Sequence, residues 1–209
     1  NKNPIYESSV ILEYLDEVFP KQSLSPKNSI EKSKMRSLIV FIDSILTPAI
    51  RYPSFQYGGL LIKFKKLSVK EFNAKISLRP TKEKFYNKMD KNIGFSENVL
   101  CESFKDIIKC SKRLDTFLET SGGPWIMGEN FSLADIVAGP LYDRLEDLGL
   151  EKLWEGYYKS LSIWLKNFQK KESVIKTFYR ESRLSEQYSD IKLGRGSRAE
   201  LLNKFNLNI

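Results

Sequence analysis

Few residues in this sequence have the type and spacing to do chemistry, and the pair Glu7–Ser8 comes first. A helical pattern starts directly after it: Ile11, Tyr14, Leu15 and Val18 recur at helical spacing, and Pro20 ends the run. A hydroxyl at a helix start stands beside free backbone N–H groups and the positive end of the helix dipole, which together favour a carboxylate. An acid next door favours an ammonium group. An anion site touching a cation site fits a zwitterion, such as the head of an amino acid. The plainer alternative is that Ser8 or Ser9 caps the helix and Glu7 only complements its dipole.

Ser132 and Asp135 form a second pair, with the spacing of a capping box. Phe131 before the cap and Ile136 within the helix are placed to form a hydrophobic staple. Leu133 to Leu141 is apolar on nearly every side, so the helix is expected in the core, with Asp135 satisfied internally and its role in folding. Pro140 should bend it, the charges beyond should carry it out of the core, and Gly149 should end it. A third cluster, Arg51, Tyr52 and Phe55, sets a cation among aromatic rings. On residue types alone it reads as an aromatic-rich cluster near a charge, which ordinary packing would account for.

The sequence has no His, which removes Ser–His and Cys–His catalysis and most zinc and haem sites. Cys101 and Cys110 are nine residues apart on one predicted helix, on opposite faces, so they share neither a disulfide nor a metal there. No metal is expected. Two unpaired cysteines suit a reducing compartment, and a cytoplasmic location is expected. No apolar run reaches about 18 residues, so no membrane span is expected.

The net charge of +8 is concentrated. Between Arg51 and Lys91 eleven basic residues face three acids, which accounts for all of it. The segment reads as a solvated loop in a Lys-rich chain, or as an attractor of acidic ligands or nucleic acid. No aromatic–basic recognition motif accompanies it, so nucleic acid is not an expected partner.

The elements that position these residues follow in order. Residues 4–6 read as the end of an edge strand, and 20–28 as a polar linker bounded by prolines. Asn28 and Glu31 signal a helix start. Ile30, Met35, Leu38, Ile42, Ile45 and Leu46 mark the helix face, and Pro48 and Pro53 should kink or end it. Residues 58–95 are ambiguous between a basic helix and short strands, with partial helix and an extended loop the expectation. Leu100, Phe104, Ile107, Leu114 and Leu118 mark a long amphipathic helix. Leu153 to Phe168 predicts another with an aromatic face, and Glu172 to Glu181 a further one. A turn is expected at Gly194–Gly196, and a last capping box at Ser197 and Glu200.

Two of these stretches resemble one family. PIYESSVILEYLDEVFP is similar to the end of the thioredoxin-like domain of cytosolic glutathione transferases. GPWIMGENFSLADIVAGPL, ending at Leu141, resembles the central helix of that family's C-terminal domain. The resemblance implies a mainly α fold. Residues 1–19 would be a thioredoxin-like remnant, 20–28 a linker, and 29–209 an all-helical C-terminal-type bundle.

It also implies a function. Glutathione would be the co-substrate, with Glu7 and Ser8 holding its γ-glutamyl end. Arg51, Tyr52 and Phe55 would wall the pocket of a small-molecule electrophile. A homodimer through the exposed part of 29–50 is implied as well. The family's thiol-activating Ser, Tyr or Cys and its cis-proline have no counterpart in these residues, so the chain reads as N-terminally truncated and the catalytic residue as lying upstream. The implied activity is transfer of glutathione to an electrophile. Alternatives are the family's ether-cleaving branch and a non-catalytic assembly module of the translation-factor or synthetase type.

Overall fold

The computed structural model describes residues 3–79, 82–178, 181–188, 198–205 and 207. The expected turn at Gly194–Gly196 and the cap at Ser197 fall outside these residues.

The chain enters through α1 (Ser8–Val18), of which no residue is fully buried. Residues 4–6 pair with nothing in a sheet, which corrects the expected edge strand. An eleven-residue helix with so little buried surface needs polar ties to keep its place. Arg36 grips Glu13 with two N–H groups, at 3.0 and 2.7 Å. Asp16 accepts from the Leu24 N–H at 2.6 Å and from the Ser23 hydroxyl at 3.1 Å. Burial alone would raise Asp16, but these donors and those of Ser25 hold it below its usual value. The linker also fastens α8 (Leu133–Asp147), because the Leu133 N–H donates to the Leu24 carbonyl at 3.1 Å. One residue thus clips the first helix to the core.

α2 (Ser29–Phe41) starts at Asn28, whose side chain accepts from the N–H groups of Ile30 and Glu31. It passes through a π-helical turn, Ile42–Leu46, into α3 (Thr47–Tyr57), making one rod of 29 residues. The expectation that Pro48 or Pro53 could end this helix is corrected, since it runs on through both. The π turn lies directly ahead of Pro48, where the regular ladder would meet a missing N–H. Pro53 leaves the Ala49 carbonyl without its helical donor, and the buried Ser103 hydroxyl supplies one at 2.8 Å. The proline becomes an anchor point for the neighbouring helix.

Residues 58–95 hold three short helices and a hairpin where partial helix and an extended loop were expected. These are α4 (Leu60–Lys65), α5 (Val69–Ser77), α6 (Glu83–Tyr86) and the strands β1 (Met89–Asp90) and β2 (Gly94–Phe95). An aromatic cluster holds them to α3. Tyr52 meets Phe85 and Phe95, with ring centroids 5.1 and 5.0 Å apart, and Phe55 meets Phe85 at 4.9 Å and Phe64 at 5.8 Å. The Gln56 amide pins the hairpin by accepting from the Phe95 N–H and donating to the Ile93 carbonyl. Gly94, at φ 94°, lies where any Cβ would strike the Gln56 amide oxygen.

α7 (Glu97–Ser121) packs against α3 and α9 (Lys159–Lys170), while α8 packs against α2 and α9. α8 does not leave the core after Pro140, as its charges suggested. Tyr142, Leu145 and Leu148 are fully buried, and Pro140 itself faces solvent. The helix closes with a Schellman pair: the Leu150 N–H donates to the Leu145 carbonyl, and that of Gly149 to Glu146. The charges are neutralised by what packs on them. Buried Asp143 is bound by Arg183 and Gln169. Asp147 accepts from the N–H groups of Leu184 and Ser185 and so caps α11 (Leu184–Gln187).

The helix expected from Leu153 to Phe168 divides into a 3-10 turn at Glu151–Leu153 and α9. α10 (Glu172–Thr177) stops short of the expected Glu181. α12 (Arg198–Lys204) returns Phe205 to the core, 4.4 Å from the Phe104 ring centroid.

Candidate functional site

The start of α1 is open. Glu7 occupies the N-cap position with φ 65° and ψ 124°, and its side chain makes no capping bond. Neither Ser8 nor Ser9 is the N-cap, which corrects that part of the sequence reading. A positive φ is costly for a residue with a Cβ and persists only where the surroundings enforce it. The result is an exposed carboxylate beside an exposed hydroxyl, at a helix N-terminus that no side chain has closed.

The start of α8 is the reverse. Asp135 is fully buried and accepts from four donors: the N–H and hydroxyl of Ser132, both at 2.8 Å, the Ile126 N–H at 3.0 Å, and the Trp164 indole N–H at 2.7 Å. Burial pushes its carboxyl up, and the four donors oppose that shift. No acceptor capacity faces solvent, so Asp135 holds α8, the 125–128 turn and α9 together. The pairing with Ser132 was legible from spacing; Trp164, 29 residues on, was not.

Arg51, Tyr52 and Phe55 are all half-buried on α3, but they do not converge on one pocket. Tyr52 and Phe55 are members of the aromatic cluster, so the packing account holds for both. Tyr52 also edges a groove of about 390 Å³ between α3 and α7, and Phe55 edges a separate cavity of about 170 Å³. That cavity has an apolar floor of Phe55, Phe64, Ile76 and Tyr86, and is rimmed by the cations Lys63, Lys75 and Arg79. Sequence reasoning did not single out these three. The available signal was the concentration of charge between Arg51 and Lys91.

The two cysteines are free, as their spacing required. Burial, with Asp106 nearby, raises the Cys110 thiol to about 12, so it is inert as a nucleophile at neutral pH.

The described chain is mostly helical, with the buried capping pair at the centre of the α7–α8–α9 core. Residues 92–172 match the family model described as glutathione S-transferase, C-terminal domain. The chain is similar to Protein LigF of Sphingobium sp. strain SYK-6, with 29% identity over 135 residues, which is 63% of this chain and 51% of LigF. It therefore spans about half the length of the curated relative it matches. The crystal structure of beta-etherase LigF from the same organism superposes with a TM-score of 0.71 at 24% identity, covering 83% of this chain and 73% of that one. At that identity the likeness establishes the fold.

Proposed function

We propose that Glu7 and Ser8 hold the γ-glutamyl end of glutathione, and that the protein transfers the glutathione sulfur to an electrophilic small molecule. The observation that carries this reading is the open N-terminus of α1, with an exposed acid held in a strained backbone beside it. Ser8 and the free N–H groups of the first turn bind the amino-acid carboxylate. Glu7, whose side chain makes no capping bond, binds the ammonium group. Residues 1–19, with α1, belong in this reading to a thioredoxin-like glutathione-binding part, 20–28 to a linker, and 29–209 to the helical partner. The exposed face of α2, with Ile30 and Val40 outward, serves as a dimer contact.

Similarity to a beta-etherase favours the ether-cleaving form of the reaction. There the glutathione thiolate attacks the carbon bearing the ether oxygen. A C–S bond forms, the C–O bond breaks with its electron pair going to oxygen, and that oxygen takes a proton.

Calorimetry with glutathione and the full-length protein tests the head-group assignment. Ser8→Ala and Glu7→Gln should each weaken binding by about 10- to 100-fold, the worth of a charge-assisted hydrogen bond. Unchanged affinity in both variants would sink it. Failure of the wild-type protein to bind glutathione at all would favour an assembly module instead.

A further inference from the structure

We propose that the 55–86 cavity is a second binding site, for a small organic anion with a single-ring apolar body. It lies at the far end of the long rod from α1. Arg36, which holds α1, and Phe55 are 19 residues apart on one helix, about 28 Å along its axis. The site therefore stands independently of the glutathione reading. It is built from residues ahead of the stretch matched by the family domain, which begins at residue 92.

Size and lining set the ligand class. The cavity volume of about 170 Å³ compares with the roughly 150 Å³ apolar cavity that accepts a benzene ring. Its floor offers aromatic faces and edges to such a ring. Among the described residues the rim is cationic: Lys63 from α4, and Lys75 and Arg79 from α5 and its end, line it, and no acid does. Among the described residues none of these three is in an ion pair. The acid of α5, Glu71, is engaged in a capping box, accepting from the Ser68 N–H and hydroxyl at 2.8 and 2.7 Å, with Lys75 one turn on also lowering it.

The neighbourhood reinforces the sign. Arg79 donates to the Tyr86 hydroxyl at 2.7 Å, which fixes its guanidinium over the mouth. Lys82 is shifted down by burial, then by Arg51 and Arg79 close by. Cations gathered at one rim repel one another, and an anion bound among them relieves that repulsion. An aromatic carboxylate would place its ring on the floor and its charge at the rim.

Benzoate and its uncharged analogue benzamide are the probes, titrated into the 15N-labelled full chain and followed by NMR. Benzoate should give saturable shifts confined to residues 55–86, with affinity about fivefold or more above benzamide, the difference between a charge-assisted and a neutral contact. Lys75→Gln and Lys63→Gln, both at exposed positions, should each weaken benzoate severalfold and leave benzamide unchanged, with the remaining spectrum reporting an intact fold. Glutathione affinity should be unaltered in both, which separates this site from the proposed glutathione site. Equal affinities for the two probes, shifts centred elsewhere, or no saturation by benzoate would each overturn the proposal.

Discussion

Two helix starts in this molecule receive opposite treatment. At α8 the acid lies three residues inside the helix, is fully buried, and takes hydrogen bonds from four donors on three segments. At α1 the acid sits on the N-cap itself, in a strained conformation, exposed and making no cap. Both stretches read as capped starts in the sequence, α1 from Ser8 or Ser9 at the head of a helical pattern and α8 from the Ser132–Asp135 spacing. The difference is burial. Inside the core an unanswered donor or acceptor costs as much as a lost hydrogen bond, so every group around Asp135 is answered by protein. At the surface water satisfies the first turn of α1, and a ligand can replace that water. A closed N-terminus builds the fold, and an open one is free to recognise.

The contrast can be broken most forcefully at Asp135. Asp135→Ala orphans the buried N–H groups of Ile126 and Trp164 together with the cap, and should cost about 3–5 kcal/mol in chemical denaturation. A loss below about 1 kcal/mol would mean that water reaches this site and that it is not closed. The same rule of full satisfaction can be sharpened at Pro53. Ser103→Ala should cost about 1–3 kcal/mol by stranding the Ala49 carbonyl. In a Pro53→Ala background the restored helical N–H answers that carbonyl, so a double-mutant cycle should show the cost shrinking.

Alkaline pH probes the core by another route. Cys110 is neutral in the native state and, once unfolded, ionises in the ordinary thiol range. The unfolded chain therefore loses this proton first, and stability should fall as pH rises from that range to about 12. Cys110→Ala should flatten this part of the stability curve. An equal slope in both proteins would show that Cys110 is not the source. The smallest effect belongs to α1. Arg36→Ala removes a solvent-exposed pair with Glu13 and should cost only about 0.2–1 kcal/mol. Hydrogen exchange should quicken across α1 and leave α8 untouched. Equal loss of protection in both helices would show that α1 is an integral part of the core.

Much of the helical body was legible because its signals are local. The stripe from Leu100 to Leu118, the Ser132–Asp135 spacing and Gly149 after α8 each depend on residues within a few turns of one another. The candidate site was legible only as residue types. Glu7 and Ser8 stand out by chemistry, but the φ that turns Glu7 off the helix has no sequence signature. Tyr52 and Phe55 lie three residues apart and share a packing cluster, yet one edges a groove and the other a separate cavity. The segment from Leu60 to Phe95 resisted reading because its helices are too short for periodicity to show.

By itself, then, the sequence determined where the long helices form and which acid they bury, since helix periodicity and capping chemistry act between near neighbours. Only the tertiary structure decided what answers each polar group. Trp164 reaches Asp135, Ser103 repairs the gap left by Pro53, Arg183 neutralises Asp143, and three lysine and arginine side chains meet around one cavity. Those partners are 29 to 54 residues apart where they form hydrogen bonds, and it is the packing of whole helices that brings them within reach.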